Sequence, residues 1–462
     1  MKRVLATVLG LGATATLAFA LPAQAADDGA ANAAKKKSKT YTVCKHGCKY
    51  KTIQKAVNKS GKNAIIKVKP GKYAEGVIVE GHKHDGLTIM GTSKNAKKVK
   101  LEGKNATNKN GVAQNGIEGI DVKRLTLKNM YARNYATNGF FVRDSNPGPG
   151  EKIDCSNYLM KNLVASFNRA YGMYAFGCTG GRITQSEGWG HGDSAFYIGG
   201  TPTQKNPKKT TLDHLDAHEN VLGYSGTNSR YVVIRDSYWY NNGVGLVPNT
   251  LDSEPFEPAT GGTIRDNYIF WNNFNYFLPS SRVQTISSGL GSIGDLTIQF
   301  PTGVGVALFG ATDWTVRDNM IFGNEKWGTA LFSDPFNEDD DAISTGNQVI
   351  NNSNGRNGSD PNAVDFWNDG SGSGNCFSGN SSSTFDPSGT ATNAFLYPGC
   401  PAPNPPAAGT GTSSGDGDQL GELIGYVTTD PPENQQCSWT EANHPKFEGF
   451  TPLDVSPGPV CP

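Results

Sequence analysis

Charge is scarce in this chain: Asp, Glu, Lys and Arg together make up 18% of 462 residues. A surface so poor in charge has to be built from uncharged polar turns, and glycine (57 residues) and asparagine supply them. After residue 21 no stretch approaches the roughly 20 consecutive apolar residues of a membrane-spanning helix, so the sequence predicts no membrane span. There is no phosphate-cradling glycine loop, no redox cysteine pair and no Ser-His-Asp pattern, which removes nucleotide hydrolysis, thiol exchange and serine-hydrolase chemistry. The basic stretches lack interleaved aromatic residues, which argues against nucleic acid as the partner.

What is present is a repeat. Between residues 181 and 331 the segments Arg182–Ser186, Leu212–Leu215, Val233–Ser237, Thr263–Asn267 and Thr315–Asn319 share one pattern. Each is followed, five residues on, by a polar residue: His191, Asn220, Asn242, Asn272 and Asn324. A short strand with glycine or aromatic residues comes next, as in Gly243–Val247 and Gly328–Phe332. A unit of this length cannot bury its apolar face alone, so the repeat predicts a stack of turns. Alternating apolar residues of β-branched and aromatic type make the turns strands, three to a turn. A stack also explains how 462 residues share one core, since a solenoid grows along a single axis.

Taken in order, Met1-Lys-Arg followed by an apolar run and Ala23-Gln-Ala25 reads as a secretory signal cut after Ala25, over residues 1–25. Export makes disulfides the expected state of the eight cysteines, with sequence proximity favouring Cys44–Cys48, Cys155–Cys178, Cys376–Cys400 and Cys437–Cys461. Residues 26–43 form a basic, disordered leader. Ile53, Ala56 and Val57 are spaced for a short amphipathic helix within 50–58, placed to cover the open first rung of the stack. Strands follow at 65–73, 77–79 and 87–91, punctuated by Pro-Gly and Gly turns. The stack is expected over 44–400, then a Pro/Gly/Ser linker over 401–418 and a tail over 419–462. The zero net charge hides an asymmetry: 23 bases face 6 acids between Lys35 and Lys128, and 25 acids face 6 bases from Leu251 onward.

The run Thr52-Ile-Gln-Lys-Ala-Val57, then Ile65-Ile-Lys-Val-Lys-Pro-Gly-Lys-Tyr73, then Leu87-Thr-Ile-Met-Gly91 resembles the opening of the pectin lyase-like superfamily. The later units resemble its β-helix repeats, so the likeness covers about residues 50 to 400. It implies an all-β, right-handed, single-stranded parallel β-helix with a short N-terminal capping helix. The superfamily's polysaccharide lyases, glycoside hydrolases, esterases, uronan epimerases and non-catalytic members imply a secreted protein acting on an acidic polysaccharide by β-elimination or hydrolysis, or one binding cell-wall polymer without catalysis. Gly190-His-Gly192 with Asp193 resembles the Gly-His-Gly motif of polygalacturonase-type hydrolases, but the acidic motifs of the preceding turns are missing. His191 also occupies the position of the ladder asparagines, which makes it a corner residue. The Asp-Pro-His motif of alginate epimerases is absent.

Counting from the first buried residue of each unit (Ile183, Leu212, Ile234, Ile264, Val316), alternation turns the next position outward. This places Asp213, Arg235 and Arg265 on the surface, near Asp252 and Glu254 of a long loop, and these five are the expected catalytic set. An arginine paired with acids suits elimination, and two carboxylates suit hydrolysis. Stacked ion pairs are the structural alternative for the arginine column. Two further outward columns give Trp189, Asp216, His218, Tyr238, Tyr240, Tyr268 and Phe270 as a substrate platform, because aromatic faces accept the apolar side of a sugar ring. Asp236, Glu338 and Asp340 are oxygen ligands suited to calcium, the one cofactor the sequence suggests. Oligomeric state is left open.

Overall fold

The computed structural model describes residues 38–402, apart from short stretches within 275–295 and 335–341, residues 357–359 and 382, and residues 387–395. The signal, the C-terminal tail and the Cys437–Cys461 pairing therefore lie outside the described residues.

The chain coils as a parallel β-helix. Consecutive turns pair in parallel register, so Ile183 lies beside Leu212, Leu212 beside Ile234, Ile234 beside Ile264 and Ile264 beside Val316. These five side chains are fully buried, as alternation requires. One 18-stranded sheet carries the first and second strands of successive turns, and an 11-stranded sheet carries the third strands. In the earlier turns the first two strands are one bent strand, as in Arg182–Trp189 and Thr210–His218. In later turns they separate, as in Val232–Arg235 and Tyr238–Tyr240. The bend falls two residues after the buried marker, at Asn129, Asn162, Gln185, His214, Asp236, Asp266, Asp318 and Asn351, all with φ between 50° and 56°. Short polar side chains tolerate this left-handed conformation best, which is why asparagine and aspartate recur there.

The corner residues stack as expected. Asn220 donates its side-chain amide to Asn242 at 2.9 Å, Asn242 to Asn272 at 3.1 Å, Asn272 to Asn324 at 3.1 Å and Asn324 to Asn362 at 2.8 Å. A second ladder runs through Asn267, Asn319, Asn352 and Asn380 at the bend between the first two strands. Each rung satisfies backbone groups that a sharp corner would otherwise leave buried and unpaired. His191 extends the first ladder: its backbone N–H donates to Asn220 Oδ1, and its Nδ1 accepts from the Asn168 backbone. Burial holds its pKa down at about 3, so it is a neutral corner residue.

A helix of five residues, Ile53–Val57, is started by the Thr52 side chain and buries Ile53, Ala56 and Val57. The disulfides Cys44–Cys48, Cys155–Cys178 and Cys376–Cys400 are formed. No helix among the described residues is long and apolar enough to cross a membrane.

Candidate functional site

The first-strand face brings part of the expected catalytic set together as ion pairs. Asp213 is fully buried and accepts from Arg182 Nε at 3.2 Å, Arg182 Nη2 at 2.6 Å and Arg235 Nη2 at 3.1 Å. Arg235 also pairs with Asp236, Arg265 with Asp266 and Arg317 with Asp318. Each arginine is neutralised by an aspartate of the left-handed bend beside it. Both Asp213 oxygens are taken by guanidinium groups, so neither is placed to accept a substrate proton. Asp252 is exposed on its loop. Among the described residues no hydrogen bond or ion pair joins Asp252 or Glu254 to Asp213, Arg235 or Arg265. Asp236 is occupied by Arg235, and Glu338 and Asp340 lie outside the described residues. No group of three His, Cys, Asp or Glu among the described residues is arranged to hold a metal ion.

The aromatic columns point away from the core as expected, yet they are not open to solvent. Trp189, Asp216, His218, Tyr238, Tyr240 and Phe270 are each at most 3% exposed, and Tyr268 is half-buried. A continuous apolar stripe of this size is costly to leave wet, and this one is buried along its length. Its rings form a pile: Trp189 on His218 at 5.8 Å, His218 on Tyr240 at 5.1 Å, Tyr240 on Phe270 at 5.2 Å and Phe270 on Phe322 at 4.9 Å, all within 14° of parallel. His218 Nε2 lies 3.5 Å from Glu187 Oε1. Burial works against the charged form of His218, but Glu187, Glu219 and Asp216 outweigh it and raise the His218 pKa, while burial raises that of Glu187 in turn, so the two share a proton. An imidazolium between two ring faces is a cation–π arrangement.

The arrangement with chemical potential lies on the third-strand sheet. Parallel register lines up Glu118, Phe141, Tyr174 and Tyr197 in one outward column. Phe141 and Tyr174 stack at 4.3 Å and 12°, and both are half-buried. Tyr174 meets Tyr197 at 4.6 Å, and Tyr171 packs 4.5 Å from Tyr197. Arg143, one step along the strand, is held by Glu118 at 2.8 Å.

Glu254 of the long loop reaches this cluster. Its Oε1 accepts from the Tyr197 hydroxyl at 2.5 Å. Gly199, next outward on the same strand, makes room for the carboxyl: a Cβ there would lie 2.4 Å from Glu254 Oε2. The loop is anchored behind by Asn228, whose amide donates to the carbonyls of Leu251 and Glu254. Burial pushes the Glu254 pKa up to about 7, with the Tyr197 hydrogen bond opposing and the Asp193 charge adding to the rise. Asp193 is 3% exposed. Its field also pushes up the Tyr171 hydroxyl, after burial. Two acids thus flank a tyrosine cluster, and one of them keeps its proton near neutral pH. A carboxyl group poised in this way is suited to donate a proton to a leaving oxygen.

The chain is similar in structure to proteins that act on polysaccharides. An Azotobacter vinelandii mannuronan C-5 epimerase A-module matches with TM-score 0.41 and 13% identity, over 72% of this chain and 91% of that one. A pectate lyase matches with TM-score 0.41 and 14% identity, over 75% and 77%. The catalytic domain of an α-1,3-glucanase matches with TM-score 0.42 and 11% identity, over 79% and 67%. No family model and no curated protein matches the chain. The fold assignment rests on the strand pairing above.

Of the expected site residues, Glu254 alone belongs to the third-strand cluster. Asp193, Phe141, Tyr171, Tyr174 and Tyr197 were not singled out by sequence reasoning as site residues. Their signal was present: Phe140-Phe141, Met173-Tyr174 and Phe196-Tyr197 recur at one place in the third strand, after the corner.

Proposed function

We propose that the protein is an exported carbohydrate-active β-helix protein that holds a polysaccharide across the third-strand face and cleaves it there. The observation that carries this reading is Glu254, a carboxyl with a pKa near 7 set beside the half-exposed Phe141–Tyr174 pair. In this reading the aromatic pair supports a sugar ring, and Glu254 donates its proton to the departing glycosidic oxygen. Burial keeps Glu254 protonated, and like-charge repulsion from Asp193 adds to it. Two acids on one face favour hydrolysis over elimination, with the polymer an acidic one. Asp213, Arg235 and Arg265 serve as a stabilising ion-pair column. The remaining features belong to the same proposal: a right-handed coil, which is the hand of nearly all parallel crossovers, and the Ile53–Val57 helix as cover for the first rung.

A binding-only reading is favoured by one observation: Glu254 is half-buried and its Oε1 is already taken by the Tyr197 hydroxyl. Incubation with polygalacturonate, alginate and cell-wall glycans separates the readings. New reducing ends without unsaturated-uronate absorbance support hydrolysis, and new ends with that absorbance replace it by elimination. Retention of polymer with no products replaces both by binding alone.

A further inference from the structure

The first-strand face carries an outward column that runs without interruption from turn to turn. Register places Lys67, Met90, Lys128, Lys161, Thr184, Asp213, Arg235, Arg265 and Arg317 side by side. Beside it runs a column of Ile65, Thr88, Thr126, Leu159, Arg182, Thr211, Val233, Thr263 and Thr315. With rungs about 4.8 Å apart, the track is roughly 40 Å long. Nearly all of it is half-buried or exposed; Thr184 and Asp213 are the buried rungs. Between Arg235 and Arg317 it forms a shallow groove of about 530 Å³ that Lys209 also lines.

Charge is distributed unevenly along the track. The four aspartates Asp213, Asp236, Asp266 and Asp318 offset the arginine half. The lysine half, from Lys67 to Thr184, has no carboxylate at any position of either column. Lys67, Lys128 and Lys161 have no ion-pair partner among the described residues. We propose that this face binds a second stretch of a linear anionic polysaccharide, with the lysines matching its carboxylate or sulfate groups. Ile65, Met90 and Leu159 meet its apolar C–H faces. The rung repeat is comparable to one monosaccharide of an extended chain, which lets successive charges meet successive turns. Nucleic acid fits less well because neither column presents an aromatic side chain for base stacking. The sugar identity of the partner rests on the proposed function, whereas the track itself does not.

The test measures binding in the full exported chain carrying Glu254→Gln, so that turnover plays no part. Polygalacturonate, uncharged dextran and double-stranded DNA are the probes. The expected result is salt-sensitive binding of polygalacturonate, none of dextran, and about a tenfold loss in Lys67→Gln/Lys128→Gln/Lys161→Gln at low salt. Cleavage of short oligosaccharides by the triple variant with Glu254 restored stays at the wild-type rate. Polygalacturonate affinity unchanged in the triple variant overturns the proposal, as does DNA binding of equal strength lost through the same lysines. Absence of cleavage with lysine-dependent binding intact overturns the catalytic reading and leaves the track standing.

Discussion

The Tyr197 hydroxyl donates to Glu254 Oε1 at 2.5 Å, joining an outward residue of the third-strand sheet to a loop inserted after the third strand two turns on. The bond favours the ionised carboxyl, while burial and Asp193 oppose ionisation more strongly. The acid therefore stays positioned and protonated together.

Tyr197→Phe removes the one side-chain bond that lowers the Glu254 pKa. The folded carboxyl then titrates above its present value of about 7, and the alkaline limb of the pH–rate profile moves up. Stability falls by about 1 kcal/mol for the lost hydrogen bond. A profile of product release against pH, measured for both proteins, checks this. An unmoved limb means that Glu254 does not set it.

Glu254 also makes folding pH-dependent. Its folded pKa is raised from 4.5 to about 7, so the native state holds the proton more tightly than the unfolded chain. Its contribution is complete below pH 4.5 and is lost as pH rises to about 7, a change on the order of 1 kcal/mol given partial solvent screening. Urea unfolding across that window shows the decline in the wild type and a flatter line in Glu254→Gln.

The stack was legible in the sequence because its rules are local. A buried residue and a corner asparagine recur with fixed spacing, and the ladder from Asn220 to Asn324 follows from that spacing; the next rung, Asn362, lies beyond it. The outward direction of Tyr238, Tyr240 and Phe270 was legible for the same reason. Their burial was not, because strand alternation reports direction and says nothing about what lies over a face. The Glu254–Tyr197 contact spans 57 residues and depends on how the 250–258 loop folds back, which no periodicity encodes. Asp213 was expected beside Arg235, but its tie to Arg182 on the turn before was not read.

Asn272 donates to Asn324 and to the Trp239 carbonyl, and accepts from the Asn242 backbone and side chain. Asn272→Ala leaves several fully buried polar groups unpaired and costs about 2–4 kcal/mol. Denaturant titration gives the value. A loss below about 1 kcal/mol would mean that the ladder adds little beyond strand pairing.

His218→Phe keeps the ring pile but strips Glu187 of its cation. A buried carboxylate left without its partner costs about 3–5 kcal/mol. Adding Glu187→Leu restores most of the loss, since two apolar residues replace the pair. Thermal unfolding of the single and double variants decides: equal melting temperatures contradict the pairing.

Release of reducing ends from the cleaved polymer by wild type and Glu254→Gln, followed from pH 5 to pH 9, bears most directly on the proton-donor assignment. The wild type should be active below about pH 7 and lose activity above it, as Glu254 gives up its proton. Glu254→Gln should lose about 10²–10⁴ of the rate at every pH while binding polymer as before. A variant that retains the wild-type rate and the wild-type pH profile contradicts the account.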